Sequence, residues 1–482
     1  MMSKIQQIFI VFHHEWQQKR RSGLLNLLFI CMQVLLVVAV VTAWSQYQHT
    51  LTQQQTAQQL VEQQWQQQPD RHPHRVAHFG HFTFRPPNAL SFFDNGVNLF
   101  VGNSIYIEAH KQNSALFANF QDSDVLLRIS ELSVANILLV FWPLLLIALA
   151  YNSITAERAS GTLRQLLSLN ISVPSLLLGK GLTYLFISVL FIAPIFIITM
   201  ALLTYSDLAL NYDILMRIFI LFWIYISYCL IWIALILLVS SIVKYEPHAL
   251  NILIATWFVL TIISPRVLAD IAAETYPKLS RNSFNQQIKQ EISLVGDSHD
   301  PEDPHFNEFK TQTLARYGVK TVDLLPVNYK ALLMQEGERI SSEIFTRLYH
   351  QQIQQQRKQQ QMIRAMYWLN PYLLIRDMSM ALTAADVWHF YDYEQQTEAH
   401  RFARIKQINK IHAEQVDHEH DKKPRVSANN WQDFAQFKYQ APSLTQSMAP
   451  FSIVWIIPLL FFVLASVLLL NAKVQRRLYA QA

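Results

Sequence analysis

"VANILLVFWPLLLIALAYNSITAERASGTLRQLL", residues 134–167, runs from an unbroken apolar stretch into an acid, two bases, a glycine and a threonine. About 20 apolar residues wound as a helix cross the hydrocarbon core of a bilayer, and the first part of this stretch, 134–154, supplies them. Five more segments qualify or nearly qualify: 24–44, 182–205, 218–243, 249–266 and 451–471. Segment 249–266 is the weakest, because Pro265 and Arg266 end its apolar run. Over 482 residues, 51% are hydrophobic and only 15% charged, a balance rare in a soluble chain of this length. The expected fold class is a mainly α membrane protein with six transmembrane helices.

Lys19, Arg20 and Arg21 precede the first span, as in a secretory signal, but its uncharged run is longer than the ~7–15 residues of a signal core and no small-x-small site follows. It reads as an uncleaved anchor. Six spans leave both ends on one side. Segments 1–23, 155–181, 244–248 and 472–482 hold eleven Lys and Arg against three acids, Glu15, Glu157 and Glu246. The positive-inside rule therefore expects both termini and the 155–181 loop in the cytoplasm. The net charge of +5 is mostly topology charge and calls for no nucleic acid. Cys31 and Cys229 both fall inside spans, so the external regions are held by packing rather than disulfides.

Residues 1–23 read as an interfacial helix, with Ile5, Ile8, Phe9, Phe12 and Trp16 at helical spacing. The first outward region, 45–133, opens with a glutamine-rich stretch expected to continue the first span as a helix. Its aromatic part from 79 to 107, with the turn pairs Pro86-Pro87 and Asn95-Gly96, predicts short strands, giving a mixed α/β insertion. The second outward region, 267–450, is far too long for a loop. Its long stretches poor in proline and glycine predict a large, mainly helical domain. Residues 472–482 form a basic tail.

An ATPase needs a phosphate-cradling loop. The Gly179-Lys180 pair lacks the remainder of that pattern, since Pro174 stands where a glycine is needed and Gly181 where a serine or threonine is. HExxH and GxSxG are also missing, so a protease or lipase reading has little support beyond the presence of serines and histidines, and no enzyme is expected. His72, His74, His78 and His81 are candidate zinc or copper ligands, as are the groups of "DHEHD" at 417–421, although neither spacing is an established ligand pattern. Lys180 and Arg217 flank spans and are expected to snorkel to interfacial water. Asn152 is expected to make an interhelical hydrogen bond. Residues 153–170, closed by Pro174, can form a short helix held at the membrane surface by two spans, a lever fit to pass a partner's motion to the spans.

The stretch "ITAERASGTLRQLLSLNISVPSLLLGKGL", residues 154–182, resembles the cytoplasmic loop of ABC-2-type transporter permeases, and "HEWQQKRRSG", residues 14–23, resembles their N-terminal elbow helix. The resemblance implies that Glu157, Arg158, Gly161, Thr162, Leu163, Arg164 and Leu166 form a coupling helix seated in a separate ATPase subunit, with Glu15 and Trp16 on the elbow. The superfamily often has a second acid where this chain has Ala159. Segments 85–113, 264–292 and 369–402 resemble the external domains of a bacterial branch whose role is unassigned. By that resemblance the chain is an exporter permease of the bacterial inner membrane. It binds no cofactor itself; ATP and magnesium sit on two copies of a partner ATPase, and a second, related or identical permease completes the unit. The alternative is a mechanotransmitter, in which ATP hydrolysis inside moves the external domain against a periplasmic partner and nothing crosses the spans.

Overall fold

A computed structural model describes residues 2–113, 133–206, 210–296, 303–417 and 425–451. The sixth expected span, the basic tail and most of the "DHEHD" cluster lie outside the described residues.

Helix α1 (Lys4–Arg21) opens on a capping box: the Ser3 hydroxyl accepts from the Gln6 backbone N–H, and the Gln6 side chain accepts from that of Ser3. Lys19, Arg20 and Arg21 complement the negative end of its dipole. Gly23, at φ +72°, then turns the chain into α2 (Leu24–Gln66). At 1.5 Å per residue α2 is roughly 65 Å long, about twice the bilayer core. Its glutamine-rich half therefore projects beyond the span, as expected, and the Trp65 indole N–H donates to the Trp431 carbonyl at 2.8 Å.

Four more helices are long and apolar enough to cross a membrane: α4 (Val134–Ala159, with a turn at 151–154), α6 (Val173–Tyr205), α7 (Tyr212–Ile242) and α8 (Glu246–Thr275). Between α4 and α6 lies the short α5 (Thr162–Ser168). Two boundaries differ from the sequence expectation. Helix α6 starts at Val173 rather than 182, with Ser172 capping it and Pro174 in its first turn. Helix α8 runs on past Pro265 to Thr275, because a π turn at Val259–Ile263 precedes the proline.

Helix α4 solves its own proline in the same way, with a π turn at Ile137–Phe141 before Pro143. Pro143 cannot donate to the Leu139 carbonyl. The Tyr228 hydroxyl does so instead at 3.1 Å, and the Trp257 indole serves the Val140 carbonyl at 3.0 Å. Inside a bilayer no water could fill that role, so neighbouring helices must.

The region between the first two spans holds α3 (Pro73–Ala77) and a two-stranded antiparallel sheet, β1 (His81–Phe84) with β2 (Ser104–Ile107), in register His81 to Ile107. The second region is helical as expected: α9 (Arg281–Val295), α10 (Pro304–Tyr317), α11 (Tyr329–Ala365), α12 (Pro371–Leu382), α13 (Val387–Gln415) and α14 (Leu444–Met448). Ser280, Asp303, Asn328 and Asp386 cap α9, α10, α11 and α13 through side-chain acceptors. Helix α12 leaves its neighbours and buries Leu374, Ile375, Met378 and Leu382 in the same core as the spans.

A basic cluster in this region carries a pH prediction. Arg404 stacks on the Trp65 ring, 4.2 Å from its centroid, and contacts His81. Burial, reinforced by the Arg404 charge, pushes the His400 imidazole from 6.5 down to about 4 and holds His81 well below its ordinary value. Both rings are neutral when folded, whereas the unfolded chain protonates them near 6.5. The stability they leave intact above that pH is lost as pH falls toward about 4. Thermal melting should show a falling midpoint across this interval, and His400→Asn should flatten the slope; an unchanged slope would contradict the assignment.

Candidate functional site

The 155–181 loop lies at the end of the spans that carries α1 and is tied to it and to two spans. It is two short helical pieces, the end of α4 and α5, joined at Gly161. Gly161 sits at φ +76° with open space around it, so the residue is required by left-handed backbone rather than by crowding. Leu163 is completely buried, Leu166 and Leu167 pack partly on the core, and Leu169 is 71% exposed. Arg164 and Gln165 are also exposed.

Two of the expected coupling residues turn inward. Arg158 donates to the Val243 carbonyl at 2.7 Å and the Ser241 carbonyl at 3.0 Å, satisfying acceptors at the C-terminus of α7. Glu157 pairs with Lys180 at 3.1 Å, and its carboxylate also accepts from the Thr162 hydroxyl. The loop is pinned further by Ser240, whose hydroxyl accepts from the backbone N–H of Ile154 at 2.9 Å. Asn152 makes the expected interhelical bond, to Glu246 of α8 at 3.3 Å.

Lys180 does not snorkel. It lies 2% exposed inside α6, with Glu15 of α1 at 2.5 Å on one side and Glu157 on the other. The Tyr184 hydroxyl donates to Glu15 at 2.6 Å and meets the Ser153 hydroxyl at 3.0 Å, while Lys19 stands 3.9 Å from Glu15. Burial alone would raise the Glu15 carboxyl; the Lys180 and Lys19 charges, with hydrogen bonds from Lys180 and Tyr184, hold it below its ordinary value instead. Two carboxylates and two ammonium groups thus balance inside one pocket joining α1, α6 and the loop. Trp16 flanks it, edge-on to Phe186 at 5.1 Å.

Close backbone approach completes the joint. A Cβ on Gly179 would lie 2.7 Å from Val11 and 2.9 Å from the Ile8 carbonyl, so only glycine lets α1 settle on α6. Gln7 bridges the loop's exit, donating to the Asn170 carbonyl at 2.9 Å and accepting from the Ser172 N–H at 3.2 Å. The face of α1 turned to the protein is Gln7, Val11 and Glu15, whereas Ile5 and Phe9 point away and are over 60% exposed. Such an inverted helix suits a lipid surface. The spacing of four among Gln7, Val11 and Glu15 is the sequence signal that could have found this polar stripe.

Arg217 is likewise buried rather than snorkelling. At the opposite end of α7 it pairs with Asp213 at 2.6 Å and donates to the carbonyls of Leu382 at 3.0 Å and Pro442 at 2.9 Å. Beside it the Ser379 hydroxyl of α12 donates to Asp94 at 2.5 Å and meets the Tyr225 hydroxyl of α7 at 2.8 Å. These contacts clasp the large domain to the spans.

The four expected metal ligands do not converge. His81 turns to Arg404 and Trp65, and the His72 ring accepts from the His74 backbone N–H at 3.1 Å. Only His74 and His78 share a cluster, and their third member is His110.

The fold and these ties define a multi-pass, mainly helical membrane protein whose large helical domain is built into its span bundle. Within it, residues 281–440 match a family model described as "Domain of unknown function (DUF3526)". That match covers α9 to α13 and includes Glu338 and Arg401, but not the loop or His74, His78 and His110. No curated protein matches the chain.

Proposed function

We propose that the chain is the membrane subunit of an ABC-2-type exporter of the bacterial inner membrane, with both termini in the cytoplasm, driven by a separate ATPase. The observation that supports this most is the rigid joint just described. The loop is locked by Glu157, Arg158 and Ser240 to α1, α6 and α7, while Arg164, Gln165 and Leu169 are left exposed at its tip. A partner pressing on that tip moves three helices together. For such motion to be driven, the partner's nucleotide states must bind two arrangements of this subunit unequally. Two ATPase copies and a second permease, related or identical, would complete the unit.

The mechanotransmitter reading is favoured by a different observation, the burial of α12 against the spans and the Arg217 clasp, which would carry span motion directly into the large domain.

The test is affinity purification of the full-length chain from the cells that naturally express it, followed by identification of what comes with it. A chain carrying a Walker motif is expected to co-purify with the wild type and to be lost from the Arg164→Glu/Leu169→Glu variant, whose exposed positions leave the melting temperature unchanged. A wild-type preparation without such a chain, or one retained by that variant, would refute the coupling assignment.

A further inference from the structure

His74 and His78 lie four residues apart on the turn formed by α3, a spacing that puts both rings on one side of a helix. Their ring centroids are 4.6 Å apart, and His110, arriving after β2, brings its ring to 5.1 Å from that of His78. One nitrogen from each ring falls within 4.8 Å of the other two. Tetrahedral zinc, with Zn–N bonds of ~2.0 Å, asks for nitrogens roughly 3.3 Å apart. Closing that gap falls chiefly to the exposed His78 ring, since Glu338 holds that of His110.

Three features go beyond proximity. His110 holds φ +62°, a left-handed backbone that a non-glycine residue adopts at a cost and which presents its ring to the other two. Its Nδ1 lies 3.0 Å from Glu338 Oε1, and its backbone N–H donates to the same oxygen. Glu338 is wholly buried and anchored through its other oxygen by Arg401 at 2.9 Å. A carboxylate that takes the Nδ1–H of a histidine fixes the tautomer and leaves Nε2 free with its lone pair, the orienting arrangement found behind metal-bound histidines. Lastly, His74 Nδ1 is buried without a hydrogen-bond partner among the described residues.

We propose that His74, His78 and His110 form a binding site for one imidazole-preferring divalent cation, zinc in the first instance, with Glu338 orienting His110 from behind. Three histidines leave the fourth tetrahedral position open to water or to another ligand. Through Glu338 of α11, held by Arg401 of α13, His110 also joins the site to the helices of the second region. This site is independent of how the spans are driven.

The test uses the full-length protein in detergent, stripped with a chelator and titrated with zinc or cobalt(II). One ion per chain is expected, and the cobalt form should show the intense visible bands of a four- or five-coordinate centre rather than the weak ones of an octahedral ion, a readout that needs no variant. His78→Ala and His110→Ala, both at exposed rings, should abolish binding, and Glu338→Gln should weaken it about 10–100-fold. The control is His418→Ala/His420→Ala, which should keep the ion. Absence of binding, an octahedral cobalt spectrum, binding that survives the His78 and His110 changes, or loss in the control would each overturn the proposal.

Discussion

Replacing Lys180 by Met is expected to destabilise the folded protein by about 3–5 kcal/mol, the usual cost of stranding one side of a buried ion pair. The Lys180 and Glu15 side chains are each 3% exposed and that of Glu157 12%, so removal of the ammonium leaves two carboxylates facing each other with little water to screen them. Lys19, at 3.9 Å from Glu15, is too distant to serve both. The outcome separates from simple loss of packing by a rescue. The triple variant Lys180→Met/Glu15→Gln/Glu157→Gln removes three of the four charges and should recover much of the loss, because the one charge left, Lys19, is at the partly exposed edge of the pocket with 17% of its side chain exposed. Thermal or denaturant unfolding of the purified full-length chain reads both variants. A single-variant loss below about 1 kcal/mol, the value of an exposed pair, would mean that water reaches the site and that the joint between α1, α6 and the loop is loose. The single variant should also lose the partner that the coupling reading requires, since the loop would no longer be held against α1.

The second large effect is expected at Arg401→Met, again about 3–5 kcal/mol, here in the large helical domain. Arg401 is 1% exposed and bridges Glu338 at 2.9 Å and Glu398 at 2.7 Å. Burial would raise the Glu338 carboxyl; the bonds from His110 and Arg401 bring it down to about 2. Without the guanidinium, His110 is the side-chain polar partner left to Glu338 among the described residues, and Glu398 loses a two-point contact. Arg401→Lys should rescue poorly, because a single ammonium cannot reproduce the fork that spans both acids. Unfolding followed by the fluorescence of Trp65 and Trp431, which lie in the neighbouring core, would locate the effect. A change under about 1 kcal/mol, or full rescue by lysine, would show that the two carboxylates are stabilised by solvent instead.

Several elements were legible because their signals are local. Apolar length gave the five described spans, and the glutamine-rich extension of the first span is a single helix as expected; the cap at Ser172, which starts α6 at Val173, was not read from the sequence. The pair Asn95-Gly96 and the aromatic strands around it also read correctly as turn and sheet. Pro265 misled for an identifiable reason: a proline ends a helix by its missing N–H, unless a π turn before it reorganises the bonds and another element serves the carbonyl left over. Asn370 does that, donating to the Leu260 carbonyl at 2.8 Å.

What the amino-acid order determined by itself is therefore the membrane class, the approximate positions of the five described spans and the helical character of the large domain, since hydrophobic length and period act over a few residues. Only the tertiary structure decided what the charges do. Lys180 and Arg217, at the ends of apolar runs, look like residues reaching for water; whether they reach it depends on what packs above them. Glu15 meets Lys180 across 165 residues and Glu338 meets His110 across 228, distances over which no periodicity carries information. The same holds for the histidines, where neighbours in sequence part company and His110 takes the place of His72 and His81, because the sheet and α11, not the spacing of the motif, bring the rings together.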